Sequence, residues 1–381
     1  MKTQQVLLKD TLNLDADLQS LSVLNPGLVL VFGGVGFFSN PVLADALYRQ
    51  FPHAALAGCS TAGEIHGNRV YDNTASVTAM EFDRTMVNVK SIRIASMPDS
   101  FAVGARMAQA LPTENLTAVL LFGTGVAING SALVAGLQSI LPGEVKISGG
   151  LAGDGGKFVR TWTLGPSGAT DDHVVAVGLY GRDLHFACGS FAGWVPFGPA
   201  RKVTRCDENV LFELDGERAL DVYKRYLGEY AEKLPASGLL FPFEMLSETQ
   251  ETLGVYRTIL GIDEAAGSLT LAGDINPDGY LKLMHASTDK LIDGAETAAQ
   301  MARENGLLKG DGSLAILVSC VGRKIIMGDR VEEEVEVVAD QLPAGTALTG
   351  FYSNGEISST EMHGGCRLHN QTMTISWMSE T

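Results

Sequence analysis

Ala55-Leu-Ala-Gly-Cys-Ser-Thr-Ala-Gly-Glu-Ile65 is matched without a gap by Ala347-Leu-Thr-Gly-Phe-Tyr-Ser-Asn-Gly-Glu-Ile357. Both stretches read Ala-Leu-x-Gly-x4-Gly-Glu-Ile. Each joins the end of a short apolar strand to a glycine-bounded polar turn carrying one carboxylate. Glycine lets a backbone turn sharply or approach another group closely, so two such turns can line one site. A duplicated βα unit whose Gly-Glu-Ile closes a turn for structural reasons explains the same pattern. Glu64 and Glu356 are accordingly read as general bases, as holders of a ligand ammonium, or as acceptors for backbone N–H groups at a helix start. Gly63 and Gly355 are the backbone positions beside them.

Working outward, three segments share one rhythm: apolar strand, glycine-containing loop, helix, second strand running into glycine. They start at Leu28-Val-Leu-Val-Phe-Gly-Gly-Val-Gly36, Ala118-Val-Leu-Leu-Phe-Gly-Thr-Gly125 and Leu314-Ala-Ile-Leu-Val-Ser-Cys-Val-Gly322. Helices are expected after Ser39 or Asn40 as cap, over residues 131–141, and over residues 331–339. In the last, Val331, Val335 and Val338 form the buried stripe, and Glu332, Glu333, Glu334 and Glu336 lie mostly on the wet side. Strands alternating with helices at this spacing favour βαβ units, with ligands beyond the carboxyl ends of the strands. The middle of the chain reads differently, as strands over 173–180, 184–192, 201–204, 237–243, 256–260, 268–272 and 280–284, with a helix over 217–227. The expected fold is a two-part α/β protein, with mixed sheets built from repeated βα units and covered by helices. The boundary is placed at Leu214-Asp-Gly216, giving parts 1–215 and 216–381.

The chain has 381 residues, 45% hydrophobic, with a net charge of −16 and a pI near 4.8. That balance argues against nucleic acid or an anionic membrane surface as partner. The N-terminal segment lacks an apolar signal region, and the apolar runs are strand-sized. The five cysteines are scattered without a C-x-x-C, which reads as a reduced, cytoplasmic protein.

Enzyme motifs fail in detail. Residues 149–157 are glycine-rich, but Leu151 stands where a P-loop needs its first glycine, and Phe158 where it needs Ser or Thr. Ser39 replaces the third glycine of a dinucleotide fingerprint. Ala62 replaces the last glycine of a nucleophile elbow around Ser60. No enzyme is expected. His363-Gly-Gly-Cys-Arg-Leu-His369 has metal-like spacing, but a strand from Arg367 onward points Cys366 away from His369, and no fourth ligand is near. On that strand Arg367, His369, Gln371, Met373, Ile375 and Trp377 share one face, and a lone His on such an apolar face is more often a hydrogen-bonded core residue than a ligand.

Gly58–Ile65, Gly189-Ser-Phe-Ala-Gly-Trp-Val-Pro-Phe-Gly-Pro199, Leu214–Gly216, Gly350–Ile357 and Leu368-His-Asn-Gln-Thr372 together resemble the FIST domain family. An N-terminal FIST region would be followed by a FIST C-terminal region over nearly the whole chain. The resemblance implies a sensory, ligand-binding module of signal transduction. Stand-alone members of this length resemble haem-binding nitric oxide sensors that control a separate histidine kinase. The resemblance alone brings haem, and His369 is then the expected iron ligand, His363 the second choice, and Arg367 the partner of the propionates. The alternative is a sensor of amino acids or another small metabolite without haem, with Glu64 or Glu356 on a cationic group. No kinase or cyclase is fused to this sequence, so a histidine kinase or other signalling protein is the expected partner.

Overall fold

A computed structural model describes residues 1–306, 312–359 and 365–381. Leu28–Gly33 is buried along its whole length, as a continuous apolar run with no polar alternation requires of a strand covered on both faces. It pairs in parallel with Ala55–Ser60, Leu28 opposite Ala55 and Gly33 opposite Ser60. The same parallel pair recurs as Leu116–Gly123 with Lys146–Leu151 and as Leu314–Cys320 with Ala347–Ser353. These are the three units read from the sequence. The chain is an α/β protein with mixed sheets built from repeated βα units and covered by helices.

Each unit builds one six-stranded sheet on the same plan. Beside the first strand of the parallel pair runs an antiparallel strand: Ala75–Glu81, His173–Tyr180 or Met373–Glu380. Beyond it lies an edge strand: Lys2–Leu8, Met86–Arg93 or Leu184–Phe191. On the other side of the pair sits a hairpin, and it comes from a different unit. Glu64–His66 and Arg69–Tyr71 leave the first unit to complete the third sheet. Thr163–Gly165 and Gly168–Thr170 leave the second unit to complete the first sheet. Gly355–Ser359 and Cys366–His369 leave the third unit to complete the second sheet. The exchange is cyclic.

The three sheets face one another across a shared core. Phe32, Phe122 and Phe351, one from each sheet, meet there with ring centroids 4.7 to 6.3 Å apart. Helices cover the outer faces. Val42–Gln50 lies on the first sheet, Ser100–Ala110 and Gly130–Gln138 on the second, and Thr288–Glu304 and Val331–Gln341 on the third. The first of these helices takes Pro41 rather than Ser39 or Asn40 as its N-cap, with Asn40 accepting the Val42 N–H at 3.1 Å, and Asn129 caps Gly130–Gln138 by accepting the Ala132 N–H at 3.0 Å.

Between the edge strand Leu184–Phe191 and the helix Thr288–Glu304, the chain builds a fourth sheet with its own core under the helix Ala219–Leu227. The second and third sheets draw strands from both sides of residue 215.

Three expectations change. Residues 237–243 are not one strand: a 3-10 helix over Ala236–Leu240, entered through Pro235, precedes the strand Phe243–Leu246. The stretch 366–377 is not one strand either. Gln371 takes φ +62°, and its carbonyl accepts the Trp194 indole at 3.1 Å. That kink moves the chain from the second sheet to the third, so His369 does not share a face with Met373, Ile375 and Trp377. Finally, Glu334 is fully buried rather than wet. It accepts from Arg323 Nη2 at 2.7 Å, the Tyr352 hydroxyl at 2.7 Å and the Ser319 hydroxyl at 2.9 Å. A buried carboxylate persists only when paired and bonded in this way.

The parallel pairs touch so closely that the second strand must carry glycine. A Cβ on Gly58, Gly149 or Gly350 would lie 1.9, 2.0 or 1.9 Å from the carbonyl oxygen of Val31, Leu121 or Leu317. Backbone cannot yield as a side chain does. Gly350→Ala is therefore expected to lose more than about 3 kcal/mol of stability, or to prevent folding. Gly143→Ala, with nothing within 4 Å of the added carbon, should stay within about 0.5 kcal/mol of the parent in a urea titration. Equal midpoints for the two variants would refute the close-approach account.

Candidate functional site

Both Gly-Glu-Ile turns stand where the chain leaves its own sheet, and both carboxylates are used in the same way. Glu64 accepts from the Thr61 hydroxyl on one oxygen, and from the Thr74 N–H and hydroxyl, both at 2.9 Å, on the other. Glu356 accepts from the Ser353 hydroxyl at 3.0 Å, and from the Thr372 N–H and hydroxyl at 3.0 and 2.9 Å. Thr74 and Thr372 directly precede the strands that return from the exchanged hairpins. Each glutamate thus clasps the exit and the return of a hairpin. In the second unit the carboxylate arrives one position earlier, as Asp154, and accepts four backbone N–H groups of residues 157–160 at 2.7 to 3.1 Å.

Burial raises both glutamates. Glu64 is pushed up by desolvation, with the Thr61 and Thr74 hydrogen bonds pulling back. Glu356 is pushed up to about 7 by burial, against the bonds from Thr372 and Ser353.

The two turns differ in what they face. Beyond the carboxyl end of Leu28–Gly33 opens a cleft of about 580 Å³, bordered by Gly34, Gly63, Glu64, Asp72, Lys157 and Arg160. Lys324, from the third unit, ties two of its lining residues together: Nζ donates to the Ala62 carbonyl at 2.9 Å and pairs with Asp72. Gly63 makes that possible, because a Cβ there would stand 2.5 Å from Lys324 Nζ. Glu64 and Gly63 therefore border a space large enough for a ligand. Glu356 and Gly355 do not border this cleft; Glu356 is fully buried, and Gly355 packs against Leu368 and Leu151.

The residues expected to hold haem are not brought together. His369 is 2% exposed and pairs across strands with Glu356. The cavity bordered by its neighbours Leu368 and Asn370 measures about 90 Å³, where small-ligand sites run from about 300 to 1,000 Å³. Arg367 opens onto another cavity, where its Nη1 donates to the Leu253 carbonyl at 3.0 Å. His363 lies outside the described residues. Residues so placed do not fit a haem ligated by His369. Among the described residues no cluster of three or more His, Cys, Asp or Glu is arranged to hold a metal ion, and no helix is long and apolar enough to cross a membrane.

Ser60 serves the framework: its hydroxyl donates to the Gly153 carbonyl at 2.7 Å and accepts the Trp162 N–H at 2.8 Å. Cys320 is buried, and desolvation drives its thiol well above the ordinary range. Sequence reading missed Asp72, Asp154, Lys157 and Arg160 as cleft residues, and Lys324 as the partner of Asp72. Only the Gly155-Gly156-Lys157 run hinted at a loop able to carry one of them.

A family model described as FIST N domain matches residues 27–217, and one described as FIST C domain matches residues 219–359. An uncharacterized protein of Methanocaldococcus jannaschii is 27% identical over 204 residues. The match covers 50% of this chain and 38% of that protein, so the chain spans well under half of this relative's length. The solved structure of a cyanuric acid hydrolase from A. caulinodans aligns over 100% of this chain and 98% of its own, with a TM-score of 0.37 and 10% identity. Beside this hydrolase the expectation that the chain is not an enzyme is withdrawn. At that TM-score the likeness assigns no reaction.

The clasp at Glu356 has a pH signature. Its folded pKa of about 7 stands above the ordinary 4.5. The stability this contributes is fully present below pH 4.5 and is lost as pH rises through 7. Stability is expected to fall across that window by on the order of 3 kcal/mol, and Glu356→Gln is expected to flatten the fall. Thermal midpoints of both proteins between pH 4.5 and 7.5 check this. An unchanged slope in the variant would assign the effect elsewhere.

Proposed function

The chain belongs to the FIST family, whose domains are small-ligand sensing modules, and we propose that it binds a small zwitterionic metabolite of the amino-acid class in the cleft beside Gly63 and Glu64. The observation that carries this reading is the charge arrangement of that cleft. Asp72, with a side chain 64% exposed, borders it together with Lys157 and Arg160, so one molecule can present an ammonium to Asp72 and a carboxylate to the bases. Arg160 is already held by Asp171 at 2.6 Å. Lys157 has no hydrogen bond or ion pair from its ammonium to any described residue, which leaves it to the ligand. The volume of about 580 Å³ lies within the ordinary range for small-molecule sites, about 300 to 1,000 Å³.

Haem is not part of this reading, because among the described residues the cavity bordered by the neighbours of the buried His369, about 90 Å³, is too small for a porphyrin. Nitric oxide sensing, which rested on haem, goes with it. The output passes to a separate signalling protein in the cytoplasm, of which a histidine kinase is the kind the family resemblance implies. Reading of the bound state by such a partner is supported by the cleft's construction: its lining comes from the first and second units, and Lys324 of the third bonds to that lining at Ala62 and Asp72.

A thermal-shift screen of the amino acids tests the proposal. A ligand present at 100 times its dissociation constant stabilises by about 2.7 kcal/mol. At least one amino acid should raise the midpoint to that extent. Lys157→Ala should weaken its binding tenfold or more while leaving the ligand-free midpoint unchanged, since the side chain holds nothing in the folded protein. A screen without a shift, or a shift indifferent to Lys157→Ala, would remove the cleft as the sensory site.

A further inference from the structure

A second cavity, of about 390 Å³, lies between the fourth sheet and the second sheet's covering helix Gly130–Gln138. Strand Thr252–Arg257 and Ile275 and Asn276 form one wall. Ser131 and Val134 of the helix, with Arg367 and Leu368 of the exchanged hairpin, form the other. Val134, Leu253, Val255 and Ile275 give the lining an aliphatic side, and two arginines stand in it.

Arg257 is the unusual group. It is 5% exposed, and among the described residues no carboxylate lies within ion-pair distance of it. Its partners are neutral: the carbonyls of Asp274 at 3.0 Å, Tyr256 at 3.0 Å and Leu368 at 3.3 Å, and the Ser131 hydroxyl at 3.4 Å. A guanidinium carries five N–H donors, and these bonds account for four, leaving one N–H of Nη2. Buried charges are ordinarily paired with an opposite charge. The nearest candidate is engaged: an Asp274 carboxylate oxygen accepts from Asn129 Nδ2 at 2.9 Å. Burial pulls Arg257 down to about 10, with Asp274 opposing and the like charge of Arg367 adding to the fall. Among the described residues, two arginines and one aspartate line the cavity.

We propose that this cavity is a second ligand site, taking a small carboxylate with an aliphatic body, its head held by Arg257 and Arg367 and its chain laid on Val134, Val255 and Ile275. A planar carboxylate matches the fork of a guanidinium, and the aliphatic wall rewards an apolar tail rather than a second charge. The proposal does not depend on the cleft beside Glu64. Because the cavity walls belong to the fourth sheet on one side and to the second sheet and its helix on the other, an occupant clamps the two together.

The test uses the full chain and three probes by calorimetry and thermal shift: hexanoate, hexanamide and inorganic phosphate. Hexanoate is expected to bind and raise the midpoint, hexanamide to do neither. Arg367→Gln should raise the hexanoate dissociation constant at least tenfold with an unchanged circular dichroism spectrum. Arg257→Lys, which keeps the charge without the fork, should weaken binding if it folds. Lys157→Ala should leave hexanoate binding untouched, which separates this site from the cleft. Equal binding of acid and amide would overturn the proposal, as would hexanoate binding indifferent to Arg367→Gln or the absence of any binding. Binding of phosphate without hexanoate would overturn the assignment to a carboxylate.

Discussion

The cyclic exchange of hairpins is the constraint on which the other features of this molecule depend. A unit consisting of an edge strand, a parallel pair and a returning strand leaves the outer side of its second parallel strand open. An open edge with unpaired N–H and C=O groups is an aggregation hazard, and capping or covering it is one of the few solutions. Here each open edge is filled by the next unit's hairpin, so no sheet is complete without a second unit, and all three close only when every unit is present. Pairings such as Phe351 with Glu64 join residues far apart in the chain. Contacts of that separation cost loop-closure entropy before they return any stabilisation. Folding of the three-sheet body is therefore expected to be slow and all-or-none rather than unit by unit.

The exchange also explains where the buried acids sit. Each unit must turn sharply out of its sheet and later return, and the turn has backbone donors that no strand partner can satisfy. Glu64, Glu356 and Asp154 supply the acceptors at those points. The Arg323–Glu334 pair does comparable work at the third sheet's helices, where Arg323 also donates to the Ala192 and Leu291 carbonyls at 2.6 and 2.7 Å. These carboxylates hold the framework, so carboxylate chemistry at the Gly-Glu-Ile turns is mostly spent. The charges left over for a ligand lie at the rim, in side chains such as Lys157 that no framework bond consumes.

Much of this architecture was legible in the sequence, and the limits have physical causes. The three apolar strand-plus-glycine runs announced the three units because strands buried on both faces read as unbroken Val, Leu and Ile. The match between residues 55–65 and 347–357 was legible because both turns solve the same problem with the same glycine and glutamate. The third solution was hidden by one residue, since Asp154 reaches the turn a position early and a shorter side chain suffices. Glu334 was misplaced because its neighbours Glu332, Glu333 and Glu336 are not fully buried, and only the arrival of Arg323 from another helix reverses its environment. His369 was misassigned because periodicity continues across Gln371, whereas the backbone there adopts a left-handed conformation to change sheets. Pattern cannot register which sheet a strand joins. The exchange and both cavities arise from that choice, so neither could be read from spacing.

The two cavities follow from the same geometry in different ways. The cleft beside Glu64 gathers loops from two units, Gly34 and Asp72 from the first and Lys157 and Arg160 from the second, and Lys324 of the third pairs with Asp72. A charge entering it alters the balance around the Lys324–Asp72 pair, and Lys324 stands on the helix Val321–Met327. That helix also carries Arg323, which is tied to the chain leading into the fourth sheet at Ala192. The second cavity touches the fourth sheet directly, at Arg257. Occupancy of either space therefore bears on how firmly the fourth sheet is held to the three-sheet body, one through a chain of hydrogen bonds and the other by contact. A partner protein that reads the position of the fourth sheet would need no contact with the ligand itself.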